Sequence, residues 1–214
     1  MNSQLLAHLS ALTAEEQALL QGAALNRDAY SSGPSFLIQS QKMIPPGQAI
    51  SLRSHTRFVS FPMHRHDYVE IMYMLQGQAE HTMEDGETIL LRAGEILMMN
   101  CHTAHAIACC GENDVGVNLI VLPAFFDFAL EMVGSGSTLG RFLMDALRAG
   151  EKEVPYLYFQ VAQVPEIQSV MESMLLSLLA HPAGSQLIHK TEMTLLFLHL
   201  MQNARHMALS SLHR

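Results

Sequence analysis

The chain has 214 residues, 49% of them hydrophobic and 15% charged, and a formal charge of -8. That length can bury a substantial core, and the apolar content excludes disorder for most of it. Twelve Lys and Arg stand against twenty Asp and Glu, with no two basic residues adjacent, which argues against a nucleic-acid surface within these residues.

Two excesses call for a cause: 12 histidines, six of them between His55 and His105, and 15 methionines with no tryptophan. The apolar run Leu119 to Phe126 contains Pro123 and falls far short of the roughly 20 residues that span a bilayer. Met1 to Leu20 lacks a cationic start and carries Glu15 and Glu16, so neither a secretory signal nor a transit peptide is expected, and the expected location is the cytoplasm. Cys101, Cys109 and Cys110 form an odd set without a Cys-x-x-Cys pair, which reads as reduced thiols used as small buried hydrophobes.

Thr13 and Glu16 form a capping box that opens a short surface helix through Ala18, Leu19 and Leu20, stopped by Gly22. Residues 1–34 are thus an N-terminal arm with a short helix. From Ser35 to Leu122, short apolar runs alternate with Pro45-Pro46-Gly47, Gly77, Asp85-Gly86, Gly94 and Gly111, the texture of a compact β-barrel or sandwich. Asp85-Gly86 predicts a two-residue type I′ hairpin between His81–Glu84 and Glu87–Leu91.

Residues 123–162 predict short helices and a return strand: a helix from Pro123, a second over Leu139 to Arg148 before Gly150, and a strand over Tyr156 to Val161. Residues 163–214 predict a helix pair. After Pro165, the residues Ile167, Val170, Met171, Met174, Leu175 and Leu178 keep helical spacing up to His181-Pro182. A last helix from Ser185 to Leu209 puts Met193, Leu196, Phe197, Leu200, Met201, Ala204 and Met207 on one face and Ile188, Leu195 and Leu198 elsewhere. The first face suits a hairpin through Ala183-Gly184; the second suits either the same helix of another subunit or cover by the β unit.

The segment from Phe61 to Gly77 reads as one strand in which His64, His66, Tyr68, Glu70, Met72 and Met74 share parity. The opposite set, Val69, Ile71, Tyr73 and Leu75, is apolar as well, so the strand is expected to be buried on both faces, with the histidines toward a cavity. Two imidazoles and a carboxylate on one face suit a divalent transition ion, and His105 is the natural fourth ligand. Without a metal, the same groups can hydrogen-bond a polar effector, with Tyr68 and Met72 as cavity wall. His81 and His102 have weaker cases, His102 reading as a surface residue at a turn, and Arg65 is expected at solvent or an interface. Leu97-Met98-Met99 reads as core.

His64, His66, Glu70 and Gly77, in the order His-x-His-x-x-x-Glu-x6-Gly, resemble the first motif of the cupins, small jelly-roll β-barrels; Gly94 and His105 fall at the separation of the second. The motif's proline is replaced by Asn100, its second glycine by His102, its closing asparagine by Cys109, and the glycine six before His64 by Phe58. The whole order, a His-x-His strand with Glu, a late His, a helix after Pro and paired helices, is similar to the sensor domain of AraC-type transcription regulators.

The resemblance implies a mainly β fold with C-terminal helices, a cupin barrel followed by an α-helical hairpin. It implies a small-molecule effector, a homodimer through the C-terminal helices, and DNA contact only through helix-turn-helix modules that these residues do not contain. His64, His66, Tyr68, Glu70, Met72 and His105 would bind the ligand. His64, His66, Glu70 and His105 would hold zinc, nickel or iron if a metal is bound. A small metal-dependent cupin enzyme, an oxygenase or isomerase, is the alternative.

Overall fold

The structure, a computed structural model, describes residues 2–147, 154–180 and 186–209. It opens with α1 (Ser3–Ser10), capped by Asn2 and buried through Leu5 and Leu9, which the sequence reading lacks because a single turn of apolar residues, Leu5 to Leu9, sets no clear period. The capping box of α2 (Ala14–Leu20) forms as expected: Thr13 Oγ1 accepts from Glu16 N at 3.2 Å, and Glu16 Oε2 accepts from Thr13 N at 2.9 Å.

After β1 (Leu37–Ile38) and a one-turn α3 (Ser40–Met43) come β2 (Ile50–Ser54), β3 (Phe61–His66), β4 (Val69–Gln76) and β5 (Gln78–Met83). Then follow β6 (Thr88–Arg92), β7 (Ile96–Met99), β8 (His105–Ile107) and β9 (Val115–Val121). A 3-10 turn at Pro123–Phe126 leads into α4 (Asp127–Val133) and α5 (Thr138–Leu147), then β10 (Tyr156–Phe159), α6 (Pro165–Ala180), α7 (Gln186–Gln202) and β11 (Met207–Leu209).

The strands form a five-stranded sheet in the order β1-β3-β8-β5-β6 and a six-stranded sheet in the order β11-β10-β7-β4-β9-β2. Strand β4 is buried along nearly its whole length, as its double apolar parity requires. Val69, Ile71 and Tyr73 join the large core shared with Phe126, Met171, Met174, Phe197 and Leu200 of the helical layer. Met72 and Met74 face a second core with Ala79, Met83, Ile89 and Leu91 of the opposite sheet. The six-stranded sheet therefore has helices on one face and the barrel interior on the other.

Four expectations change. Phe61 to Gly77 is not one strand: the chain leaves the five-stranded sheet after His66 and enters the six-stranded sheet at Val69, with Asp67 Oδ1 accepting from Ser40 N at 2.6 Å at the corner. The hairpin after β5 is not a two-residue type I′ turn. Gly86 N donates to Met83 O at 3.0 Å and Met83 N to Glu87 O at 2.8 Å, and Gly86 alone takes a positive φ, so Glu84-Asp85-Gly86 is a three-residue loop.

The last helix ends at Gln202 rather than Leu209, and Met207–Leu209 pair with β10 as an edge strand. Cys101 and Cys110 are buried as expected, but Cys109 is exposed. Helix α6 buries Ile167, Val170, Met171, Met174, Leu175 and Leu178, the six positions its spacing selects. The predicted helix end at Arg148, the Gly150 after it, the His181-Pro182 stop and the Ala183-Gly184 connection lie outside the described residues.

A histidine-lined cavity in the barrel

His64 on β3 and His105 on β8 are direct cross-strand partners, and their ring centroids lie 4.3 Å apart. His66, two residues along β3, brings its ring within 5.0 Å of His64 and 5.1 Å of His105. One ligand nitrogen from each of the three lies within 4.8 Å of the others, so they form a group that could hold a metal ion. Glu70 reaches the group from the opposite sheet, its Oε2 3.6 Å from His66 Nε2 and 3.7 Å from His105 Nε2. The corner at Asp67 thus preserves the convergence that a single strand was expected to give.

Burial sets the protonation of these groups. It pushes the Glu70 carboxyl up to about 8. It pulls His64 down to about 4, and it holds His66 and His105 well below the ordinary imidazole value, with the neighbouring imidazoles adding to the effect. At neutral pH the cluster is neutral imidazoles beside a carboxyl held mostly in its acid form, and its contacts are not ion pairs. His66 Nδ1 and Nε2, His105 Nδ1 and Nε2, and Glu70 Oε2 are buried with no hydrogen-bond partner. Such orphaned atoms are costly unless something fills them.

His64 Nδ1 lies 2.8 Å from the Pro62 carbonyl. Donation to that oxygen fixes the tautomer and leaves Nε2 as a lone-pair donor, as in metal-ligating histidines. The three neutral imidazoles therefore fit a divalent transition ion with open positions.

Beside the cluster lies a cavity of about 30 Å³, lined by Arg53, His55, His64, Tyr68, Glu70 and Asn118 among others. Of the residues singled out from the sequence, His64, Tyr68 and Glu70 line it, and His66 and His105 sit with them as fully buried neighbours. Met72 does not: its Sδ lies 3.2 Å from His81 Nε2 within the methionine-rich core. Arg65 is exposed as expected and pairs with Glu84, and His102 is exposed at a turn.

His81, given only a weaker case from the sequence, is fully buried with its ring 5.5 Å from that of His105. Its parity with Ala79 and Met83 on β5 is the signal that could have found it. Sequence reasoning missed His55, Arg53 and Asn118, for which no local pattern exists. Burial pulls His81 down to about 3 and His55 to about 4, with nearby imidazoles assisting in both cases.

A protein-family model described as a cupin domain matches residues 56–121, the stretch that holds all four clustered residues. A search of curated proteins finds no match. Among solved structures, an apo variant of ToxT from Vibrio cholerae strain SCE256 aligns over 76% of this chain at 10% identity with a TM-score of 0.52. The chain spans 58% of that protein's length. Local similarity extends to the DMSP lyase DddQ from Ruegeria pomeroyi DSS-3, over 35% of this chain and 39% of that one, at 21% identity and a TM-score of 0.31. KdgF from a Halomonas species aligns over 35% of this chain and 69% of its own, at 22% identity and a TM-score of 0.31. Residues 56–121 thus match a cupin domain, and the barrel with its C-terminal helices shares its fold with ToxT.

Proposed function

We propose that these residues are the effector-sensing and dimerisation part of an AraC-type transcription regulator, which binds a small molecule in the barrel and passes the bound state to the helix pair. The observation that carries the reading is the set of buried polar atoms without partners, on Glu70, His66, His105, His55 and Asn118, in and beside an internal cavity. Such groups persist where a ligand completes them. The fold shared with ToxT, an AraC-family regulator, supports the regulatory half.

The ligand meets His64, His66, Tyr68, Glu70 and His105, directly or through a metal that His64, His66, Glu70 and His105 would hold. Zinc, nickel or iron bound there would act as a Lewis acid, anchoring an electron-rich group of the ligand. Occupancy of the barrel shifts the equilibrium of the helical layer by the ligand's differential affinity for its two arrangements.

Helices α6 and α7 pack against each other, yet Leu187, Ile188 and Leu195 on α7 are 71%, 54% and 44% exposed, and Leu176 and Leu179 on α6 are exposed too. An apolar surface of this kind suits the same helices of a second subunit. DNA would be contacted by a helix-turn-helix part outside these residues, and the cytoplasm is the location the reading implies. No helix among the described residues is long and apolar enough to cross a membrane.

A metal-dependent cupin oxygenase or isomerase is the second reading, favoured by the same four donors. Joining the chain to a DNA-binding domain that needs dimerisation separates the two. The regulatory reading predicts operator binding that changes when the barrel is filled. Operator binding indifferent to every barrel ligand, together with turnover of one of them, supports the enzyme.

A further inference from the structure

Arg53 on β2 is the register partner of Asn118 on β9, which is in turn the partner of Met72 on β4. Partners directly across antiparallel strands project from the same face, so Arg53 and Asn118 stand on the inner face that also carries Glu70. Both line the cavity beside His64.

Arg53 is half-buried, its guanidinium carbon lies 5.9 Å from the Tyr30 ring centroid, and its side-chain hydrogen bond runs from Nη1 to Met43 Sδ at 3.4 Å, a weak acceptor. Arg57 and Arg65 are each bound to a carboxylate, whereas no ion pair to Arg53 is present among the described residues. Among the described residues Glu70 is the only acid that lines the cavity, and it is turned toward His66 and His105, while Glu15 behind the wall is held by Tyr30 and Thr56. A guanidinium drawn out of water and left without an anion is costly, and its paired N–H groups match a carboxylate.

The wall beside it supplies neutral partners. His55 Nε2 and Asn118 Oδ1 are buried and unpaired, and rotation of the Asn118 amide exchanges its acceptor for an NH₂ donor. A water-sized group needs about 10–15 Å³ of such space. The 30 Å³ cavity therefore has room for roughly two, the two oxygens of one carboxylate.

We propose that the cavity takes a short organic carboxylate, its head group held by Arg53 with His55 and Asn118 as neutral hydrogen-bond partners. This rests on the reading of the cavity as the effector site and adds the chemical class of the effector. Arg53 then decides charge selectivity, and the cavity itself holds the two carboxylate oxygens.

Calorimetric titration with acetate and pyruvate, and with their neutral counterparts acetamide and hydroxyacetone, tests the assignment on the wild type, Arg53→Gln and Arg53→Lys. At least one acid should bind the wild type, at least tenfold more weakly to Arg53→Gln, and with an intermediate loss to Arg53→Lys, while the neutral compounds do not bind. Equal affinity of the acids for wild type and Arg53→Gln, or no binding of either acid, overturns the carboxylate class. Binding of a neutral compound that is lost in His64→Ala also overturns the class but leaves the effector site standing. Unchanged circular dichroism and unfolding midpoints of the Arg53 variants keep a folding defect from being read as lost binding.

Discussion

Arg57 Nε lies 2.7 Å from Glu16 Oε1, a buried ion pair that ties α2 of the N-terminal arm to the segment leading into β3. Arg57 also donates to the Ser10 and Glu112 carbonyls, at 3.0 and 2.9 Å, so one guanidinium joins α1, α2 and the β9 approach. Removing one partner leaves the other charge buried, and Glu16→Ala should cost about 3–5 kcal/mol in denaturant unfolding.

Burial opposes ionisation of Glu16, but hydrogen bonds from Arg57 and from the Thr13 backbone outweigh it and hold the carboxyl below its ordinary value of 4.5. A carboxyl lowered on folding adds stability above its unfolded value and loses it as pH falls through the folded one. Wild-type stability should therefore drop as pH goes below about 4.5, and the drop should be shallower in Glu16→Gln. Parallel slopes in the two proteins would remove this linkage.

Among the described residues, Phe58 and His102 are the two non-glycine residues with positive φ, at 68° and 64°, and they occupy the two of the four cupin-motif glycine places that this chain does not fill with glycine. The backbone keeps the left-handed geometry although the side chains have changed. That geometry costs an L-residue about 1–2 kcal/mol, against roughly 0.5–1 kcal/mol for the greater freedom of unfolded glycine. Because the His102 side chain is exposed, His102→Gly should leave stability equal or raise it by up to about 1 kcal/mol. Thermal and urea unfolding measure this, and a loss above 1 kcal/mol would show that His102 has a packing role.

Protein purified without a nickel column should contain a divalent transition ion detectable by elemental analysis. Its level should fall by tenfold or more in His66→Ala and His105→Ala, and chelation should lower the unfolding midpoint of the wild type but not of the variants. Metal at trace level in the wild type, with no rise in midpoint on adding zinc, nickel or iron, would assign the cluster to direct ligand contact.

Light scattering after size exclusion should give twice the chain mass of 23.7 kDa for the wild type and a monomer for the double substitution Ile188→Glu and Leu195→Glu. Both side chains are exposed, so the fold should survive, as circular dichroism can confirm. A wild-type monomer at high concentration would leave the exposed face of α7 without its proposed partner.

The fold was legible where local spacing decides burial. Ile167 to Leu178 repeats with the helical period, and Thr13 and Glu16 cap α2 through bonds only three residues long. His64 and His66 were legible because alternation along β3 puts them on one face, whereas Glu70 joins them from the opposite sheet through the corner at Asp67. What failed depends on remote partners. Ala204 and Met207 continue the apolar spacing of α7, yet residues 207–209 find their hydrogen bonds on β10, a pairing no local pattern announces. Arg53 looks like any strand arginine until the register against Asn118 places it in the cavity.

If the barrel interior is a small-molecule site that uses the histidine cluster, thermal unfolding of the wild type and of His64→Ala across a panel of small organic acids, sugars and other metabolites will show it. At least one compound should raise the wild-type midpoint by several degrees, corresponding to roughly 2–3 kcal/mol at a hundredfold excess over Kd, with the shift abolished in His64→Ala. A panel that shifts neither protein, or shifts both equally, would contradict such a site.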